Sequence, residues 1–436
     1  MSTTENPQPA SDGAALRPAA GESAAPAPTA PAQEPGDRRW SDAFREIVGG
    51  SWGVSLGAVL LALVAGSIMI AATDETVRSS AAYFFSRPGD LISAAWEAIA
   101  NAYVALFRGA VWNYKADTFA AGIRPLAVSL TYATPLIGAG LGLAVGFRAG
   151  LFNIGGQGQM ILAAIGAGWI GFALDLPPVV HMLVAVLVGI AMGALWAGIA
   201  GALKAFTGAH EVITTIMLNH IGFYLLFFLL ATPGLLQQEG SSNPNTPPMA
   251  ENAIMARIFG DSFPLHVGFI LALIAVAFTW WLLERSRLGF TFRAVGENPS
   301  AARVAGIDVK RATVYVMLVS GALVGLAGAS QVLGTATTGF STDVDAGMGF
   351  DAITVALLGR SSPLGVLGAG ILFGAFKAGG AQMQAAEGIP IEIVTVIQSL
   401  IVLFIAAPPL VRAILRLPQP GAPRKAARAA RKEVAA

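Results

Sequence analysis

Apolar runs separated by short polar breaks fill most of the chain, at 52–72, 125–147, 153–174, 179–203, 212–232, 265–283 and 312–336. A bilayer crossing takes roughly 20 such residues, so each run predicts a membrane helix. Past 336 the pattern becomes crowded. Residues 363–380 and 389–407 are long enough to cross, whereas 349–360 ends at Arg360-Ser361-Ser362-Pro363 and is too short for a straight span. The pattern predicts an all-α integral membrane protein, a polytopic helical bundle of about ten transmembrane helices with one or two of them broken.

Basic residues orient this bundle. The loop 285–311 carries Arg285, Arg287, Arg293, Arg303, Lys310 and Arg311 and reads as cytoplasmic by the positive-inside tendency. Six crossings earlier, Arg38, Arg39 and Arg45 precede the first run, which puts the amino terminus on the same side. A basic carboxyl tail, with Arg424, Lys425, Arg428, Arg431 and Lys432 after the Pro418 to Pro423 break, also reads as inside. An odd number of crossings must then follow the outer loop around Asp343 and Asp345. Residues 349–360 supply the missing one as a broken or half-depth helix, whose free backbone groups suit a polar solute.

Composition agrees with this setting: 55% of residues are hydrophobic and only 12% charged, about half the charge of water-soluble domains. A net charge of +1 gives no field for nucleic acid, and zero cysteines exclude disulfides, thiolate metal sites and thiol catalysis. Residues 1–36 are mostly Ala, Pro and small polar residues and read as disordered. The first apolar run follows no basic start of signal-peptide type, so it reads as an uncleaved helix. The expected organisation is therefore a tail over 1–36, a transmembrane domain over 37–411 and a basic tail over 412–436.

Two polar clusters interrupt the apolar pattern. Leu151 to Gln159 reads Leu-Phe-Asn-Ile-Gly-Gly-Gln-Gly-Gln, and lipid cannot satisfy the loosened backbone or the amides of Asn153, Gln157 and Gln159. These amides both donate to and accept from a base or sugar hydroxyl, and Phe152 and Trp169 offer rings to stack on. The second cluster is Glu211, Thr214, Thr215, Asn219 and His220; Glu211, Thr215 and Asn219 recur every four residues and share a helix face. That stripe must face inward, either lining a cavity or joining helices by hydrogen bonds. Asp351 heads the short helix, where it caps the positive end of the dipole or meets solute. Lys377 and Glu392, in or near the last spans, pair, snorkel or line the route.

Several alternatives fail on spacing. His210-Glu211 lacks the second histidine of a zinc-protease helix, because position 214 is threonine. His181, His220 and His266 are scattered, and no metal cluster or catalytic pair is visible. The Gly138, Gly140, Gly142 series lies inside an apolar run without a preceding strand and serves close helix packing, as do Gly321 and Gly325. No Gly-x-x-x-x-Gly-Lys-Ser/Thr loop occurs, so any ATP hydrolysis belongs to another polypeptide.

Leu151 to Gln159, His210 to Asn219 and Gly296-Glu297-Asn298-Pro299, in this order, make the chain resemble permease subunits of ABC importers. More narrowly it is similar to the branched-chain amino acid and simple-sugar permease superfamily, on the branch associated with nucleoside uptake and basic-membrane-protein-type binding lipoproteins. The resemblance covers 52–407. It implies a type II importer architecture in the bacterial cytoplasmic membrane, a cytoplasmic ABC ATPase carrying the ATP and Mg, a second permease subunit and a binding lipoprotein. It also implies a coupling helix over 296–306, with roles for Gly296, Glu297, Asn298, Pro299, Arg303 and Gly306. Local chemistry suits that element: proline fits an early helical position, preceding polar side chains can cap it, and Ala301 and Ala302 keep it slim. The expected function is permeation of an uncharged polar solute, a nucleoside first and a simple sugar second. A branched-chain amino acid lacks a convergent charge pair for its zwitterion. An ion-coupled secondary transporter, with Asp351 and Glu392 as coupling carboxylates, is the remaining class.

Overall fold

The computed structural model describes residues 51–416 apart from Ser242. The predicted tail 1–36, the basic residues Arg38, Arg39 and Arg45, and nearly all of the basic carboxyl tail lie outside the described residues. Among the described residues regular structure is helical, with a single isolated bridge between Arg257 and His266. In chain order the helices are α1 Ser51–Thr73, α2 Glu75–Ala81, α3 Pro88–Ala110, α4 Phe119–Arg148, α5 Gly156–Ala173, α6 Val180–Thr207 and α7 Glu211–Ala231. They continue as α8 Gly268–Arg285, α9 Arg287–Glu297, α10 Pro299–Val304, α11 Val309–Ser330, α12 Met348–Leu358, α13 Pro363–Glu387, α14 Ile391–Ala406 and α15 Pro408–Leu415.

Their starts are written in side chains that accept from free amides. Thr118 caps α4 through Ala121 N, Asp308 caps α11 through Arg311 N, and Ser362 caps α13 through Gly365 N. Among the described residues seven helices are long and apolar enough to cross a membrane, with α14 and α15 an eighth if they form one span bent by 95°. The chain is thus an all-α polytopic membrane protein; the expected count of about ten is not confirmed. Two of the expected spans fall outside that set for a physical reason. Helix α5 opens on Gln157 and Gln159, which dilute its hydropathy, and α12 has only 11 residues, the short helix anticipated at 349–360. Helix α3 carries Asp90, Glu97, Asn101 and Arg108 along one face, so the sequence there shows no unbroken apolar run. Its Tyr103 Oη donates to Leu63 O of α1 at 2.6 Å.

The core is built from two four-helix units of opposite direction, α4 to α7 and α11 to α14. Helix α4 ends where Gly150 touches Gly296, whereas α11 starts from that same end of the bundle. The units exchange partners: α4 packs on α13 as α11 packs on α6, and α4 meets α12 as α11 meets α5. Inverted units with interrupted helices are a recurrent transporter plan. Small residues allow the close approach. A Cβ on Gly193 would stand 2.5 Å from Gly321 O and 2.6 Å from Gly325 Cα, and one on Gly138 3.3 Å from Ala327 Cβ. Both glycine series read from the sequence as packing devices are therefore seams between α4, α6 and α11.

Candidate functional site: two broken helices meeting head to head

Helices α5 and α12 begin inside the bundle with their first turns in contact. A Cβ on Gly156 would lie 2.7 Å from Gly349 O, and Gly349 in turn packs on the backbone of Gln157. Two positive helix ends therefore converge, each presenting amides without a carbonyl partner in its own helix. Neither first residue is capped by its own neighbour's side chain. The required partners come from elsewhere in the fold.

Helix α7 supplies several of them. Asn219 Oδ1 accepts from Gly158 N at 2.8 Å while its Nδ2 donates to Ile154 O at 2.9 Å. One turn earlier, Thr215 Oγ1 accepts from Ile154 N at 3.3 Å. Asn153, fully buried, accepts at Oδ1 from Gly155 N at 2.9 Å and from Gln159 Nε2 at 3.0 Å, and its Nδ2 donates to Ser320 Oγ of α11 at 2.9 Å. Glu211, third member of the α7 stripe, pairs with Lys204 Nζ at 2.5 Å. The stripe faces the broken segment as its spacing required, and these residues are occupied in holding it.

The other predicted residues go to different places. Gln157 is partly exposed, and its Nε2 lies 3.4 Å from Asp345 Oδ1. Asp345 is 4% exposed and its Oδ2 has no hydrogen-bond partner. Phe152 is half exposed with its ring 4.7 Å from that of Phe147. Thr214 turns its hydroxyl to His210 O, and His220 is exposed on the side of α7 away from the cluster. Trp169 is half exposed and 13 residues along α5 from Gly156, about 20 Å at 1.5 Å per residue, so the fold does not bring it to the amides. Asp351 does not cap α12; its carboxylate pairs with Lys377 Nζ of α13 at 2.8 Å. Glu392 is exposed at the start of α14.

Sequence reasoning missed Asp345, Ser320, Lys204 and Trp196. From the sequence Asp345 reads as part of an outer loop, and a lone serine in an apolar run carries no signal. Only the return of the chain between Gly339 and Gly347 brings Asp345 down to Gln157.

At the end of the bundle where Gly150 meets Gly296, α9 and α10 form a short elbow. Asn298 Oδ1 accepts from Ser300 N at 3.0 Å and Ala301 N at 3.1 Å, with Pro299 at the first helical position, as the local sequence suggested. Gly306 adopts φ 83 and ends the elbow. Ala302 is buried, Arg303 is exposed, and Val304 is 92% exposed, an apolar tip the sequence reading did not single out. Beside the elbow, a cleft of about 500 Å³ is lined by residues including Arg285, Arg287 and Arg293.

Paired inverted units, broken helices meeting within the bundle and a projecting terminal elbow define a multi-pass membrane permease. The family described as "Branched-chain amino acid transport system / permease component" matches residues 126–406, and the chain belongs to it. It is 37% identical over 282 residues to the guanosine ABC transporter permease protein NupP of Bacillus subtilis, covering 65% of this chain and 81% of that one. To the nucleoside ABC transporter permease protein NupB of Lactococcus lactis it is 35% identical, covering 68% and 83%. It is also 35% identical to the glucose ABC transporter permease protein TsgB13 of Haloferax volcanii, covering 63% and 74%. No solved structure matches. The chain is thus a permease component of an ABC transport system, a translocating subunit.

Proposed function

We propose that this chain is a transmembrane subunit of an ATP-driven importer that carries nucleosides across a bacterial cytoplasmic membrane. The observation that carries the proposal is the 37% identity over 282 residues to a permease named for guanosine. The site's chemistry supports it, since amides and hydroxyls suit an uncharged polar solute. A simple sugar is the second reading, favoured by the 35% identity to a permease named for glucose.

In this proposal Asn153, Gln159, Thr215 and Asn219 hold the broken helices, and Gln157 meets solute. The elbow from Gly296 to Gly306 is the coupling element, with Glu297, Asn298, Pro299, Arg303 and Val304 presented to a cytoplasmic ABC ATPase that binds ATP and Mg. Both termini are then cytoplasmic. A second permease subunit completes the pathway, and a basic-membrane-protein-type lipoprotein delivers solute.

Uptake into sealed vesicles holding the complete transporter tests the proposal. Guanosine, adenosine, uridine and ribose are offered with ATP, or with an imposed ion gradient and no ATP. ATP-dependent nucleoside uptake is the expected result; uptake driven by the gradient alone refutes it. Replacing Glu297 and Arg303 together by alanine is expected to abolish stimulation of the ATPase while leaving membrane insertion intact.

A further inference from the structure

Asp345 stands out because it is a buried carboxylate at the meeting point of α5 and α12 whose Oδ2 has no partner. Its other oxygen has a long contact, 3.4 Å to Gln157 Nε2, and the backbone amides of Gly347 and Gly349 approach the carboxylate. A buried acceptor left without a donor carries a desolvation cost that a bound donor removes. We propose that Asp345 and Gln157 form a recognition point for the sugar hydroxyls of the solute during translocation.

The converging positive helix ends disfavour a cation beside Asp345 and favour neutral donors such as O–H. A hydroxyl donates one hydrogen bond and accepts another. Asp345 Oδ2 takes the first, and Gln157 Nε2, weakly held at its present distance, gives the second. The neighbouring residues Ala346, Gly347 and Phe350 are exposed while Asp345 Oδ2 is itself covered, so a shift of this short segment is what brings solute to the pair. Asn153 and Gln159, by contrast, already satisfy each other and Ser320, leaving Gln157 as the amide free to turn toward solute.

This inference rests on the nucleoside reading, and its test separates the two. The complete transporter is reconstituted in proteoliposomes with saturating binding protein, so that differences in capture do not enter. Initial rates are then compared for guanosine, 2′-deoxyguanosine and 2′,3′-dideoxyguanosine. The wild type is expected to move guanosine roughly 10-fold faster than the dideoxy compound, the worth of one charge-assisted hydrogen bond. Asp345→Ala brings the guanosine rate down to that of the dideoxy compound, and Asp345→Asn, which retains an acceptor oxygen, keeps part of the preference. An Asp345→Ala transporter with the wild-type ratio overturns the inference. So does a variant that melts early and slows all three solutes alike, with Asp345→Asn restoring rate but not preference, since the carboxylate is then only a structural pin. If the wild type imports sugars and no nucleoside, the nucleoside reading fails, and the same comparison with deoxy-sugars decides the hydroxyl assignment.

Discussion

Asn219→Ala should destabilise the protein strongly although it removes only one side chain of modest size. Asn219 is 2% exposed and satisfies two backbone groups of the broken segment, Gly158 N and Ile154 O. Truncation leaves both buried without partners. Each such group costs about 1–3 kcal/mol, and the desolvation that Asn219 itself no longer undergoes offsets part of the sum. A net loss of about 3 kcal/mol follows, more than a hundredfold in the folded-to-unfolded ratio. The measurement is equilibrium unfolding of the purified protein in mixed micelles, followed by tryptophan fluorescence. Trp196 is well placed for this, because its Nε1 and Asn219 Cα both lie within about 3 Å of where a Cβ on Gly158 would stand. Thr215→Ala, which loses one longer bond to Ile154 N, should cost less than half as much. An Asn219→Ala protein within 0.5 kcal/mol of wild type, a threshold below most single-mutant effects, would refute the claim that α7 caps α5.

Three further outcomes are expected. Val304→Asp places a charge on the exposed tip of the elbow and should lower solute-stimulated ATPase activity about tenfold without lowering thermal stability, as loss of a docking anchor would. Lys377→Met should cost about 1–2 kcal/mol by leaving Asp351 unpaired in a partly exposed site, and adding Asp351→Asn should restore most of it; a double mutant as unstable as the sum of the singles refutes the pairing. Burial pushes the His266 imidazole down to about 4, so the unfolded chain takes up a proton that the folded one refuses as pH falls from about 6.5 to about 4. Stability should therefore drop across that window, by at most about 3 kcal/mol, and His266→Gln should flatten the melting-temperature profile there.

The periodicity of apolar runs determined that this chain is a helical membrane bundle, because no other backbone arrangement satisfies its hydrogen bonds in lipid from such a sequence. Local signals of the same kind marked the short helix at 349–360, the glycine seams and the Asn298-Pro299 helix start, since each depends on residues only a few positions apart. Composition alone understates the bundle: α5 and α12 are helices whose own hydropathy or length falls short of a full span, and α3 carries a polar stripe along one face. Partnership at the site was beyond the sequence as well. Whether an amide faces solute or a neighbouring helix depends on which groups the fold brings within 3 Å, and the partners of Asn153 and Asn219 lie up to 167 positions away. Tertiary structure alone placed Ser320 against Asn153, Lys377 against Asp351 and Asp345 beside Gln157, because two units of opposite direction had to interlock before the heads of their broken helices could meet.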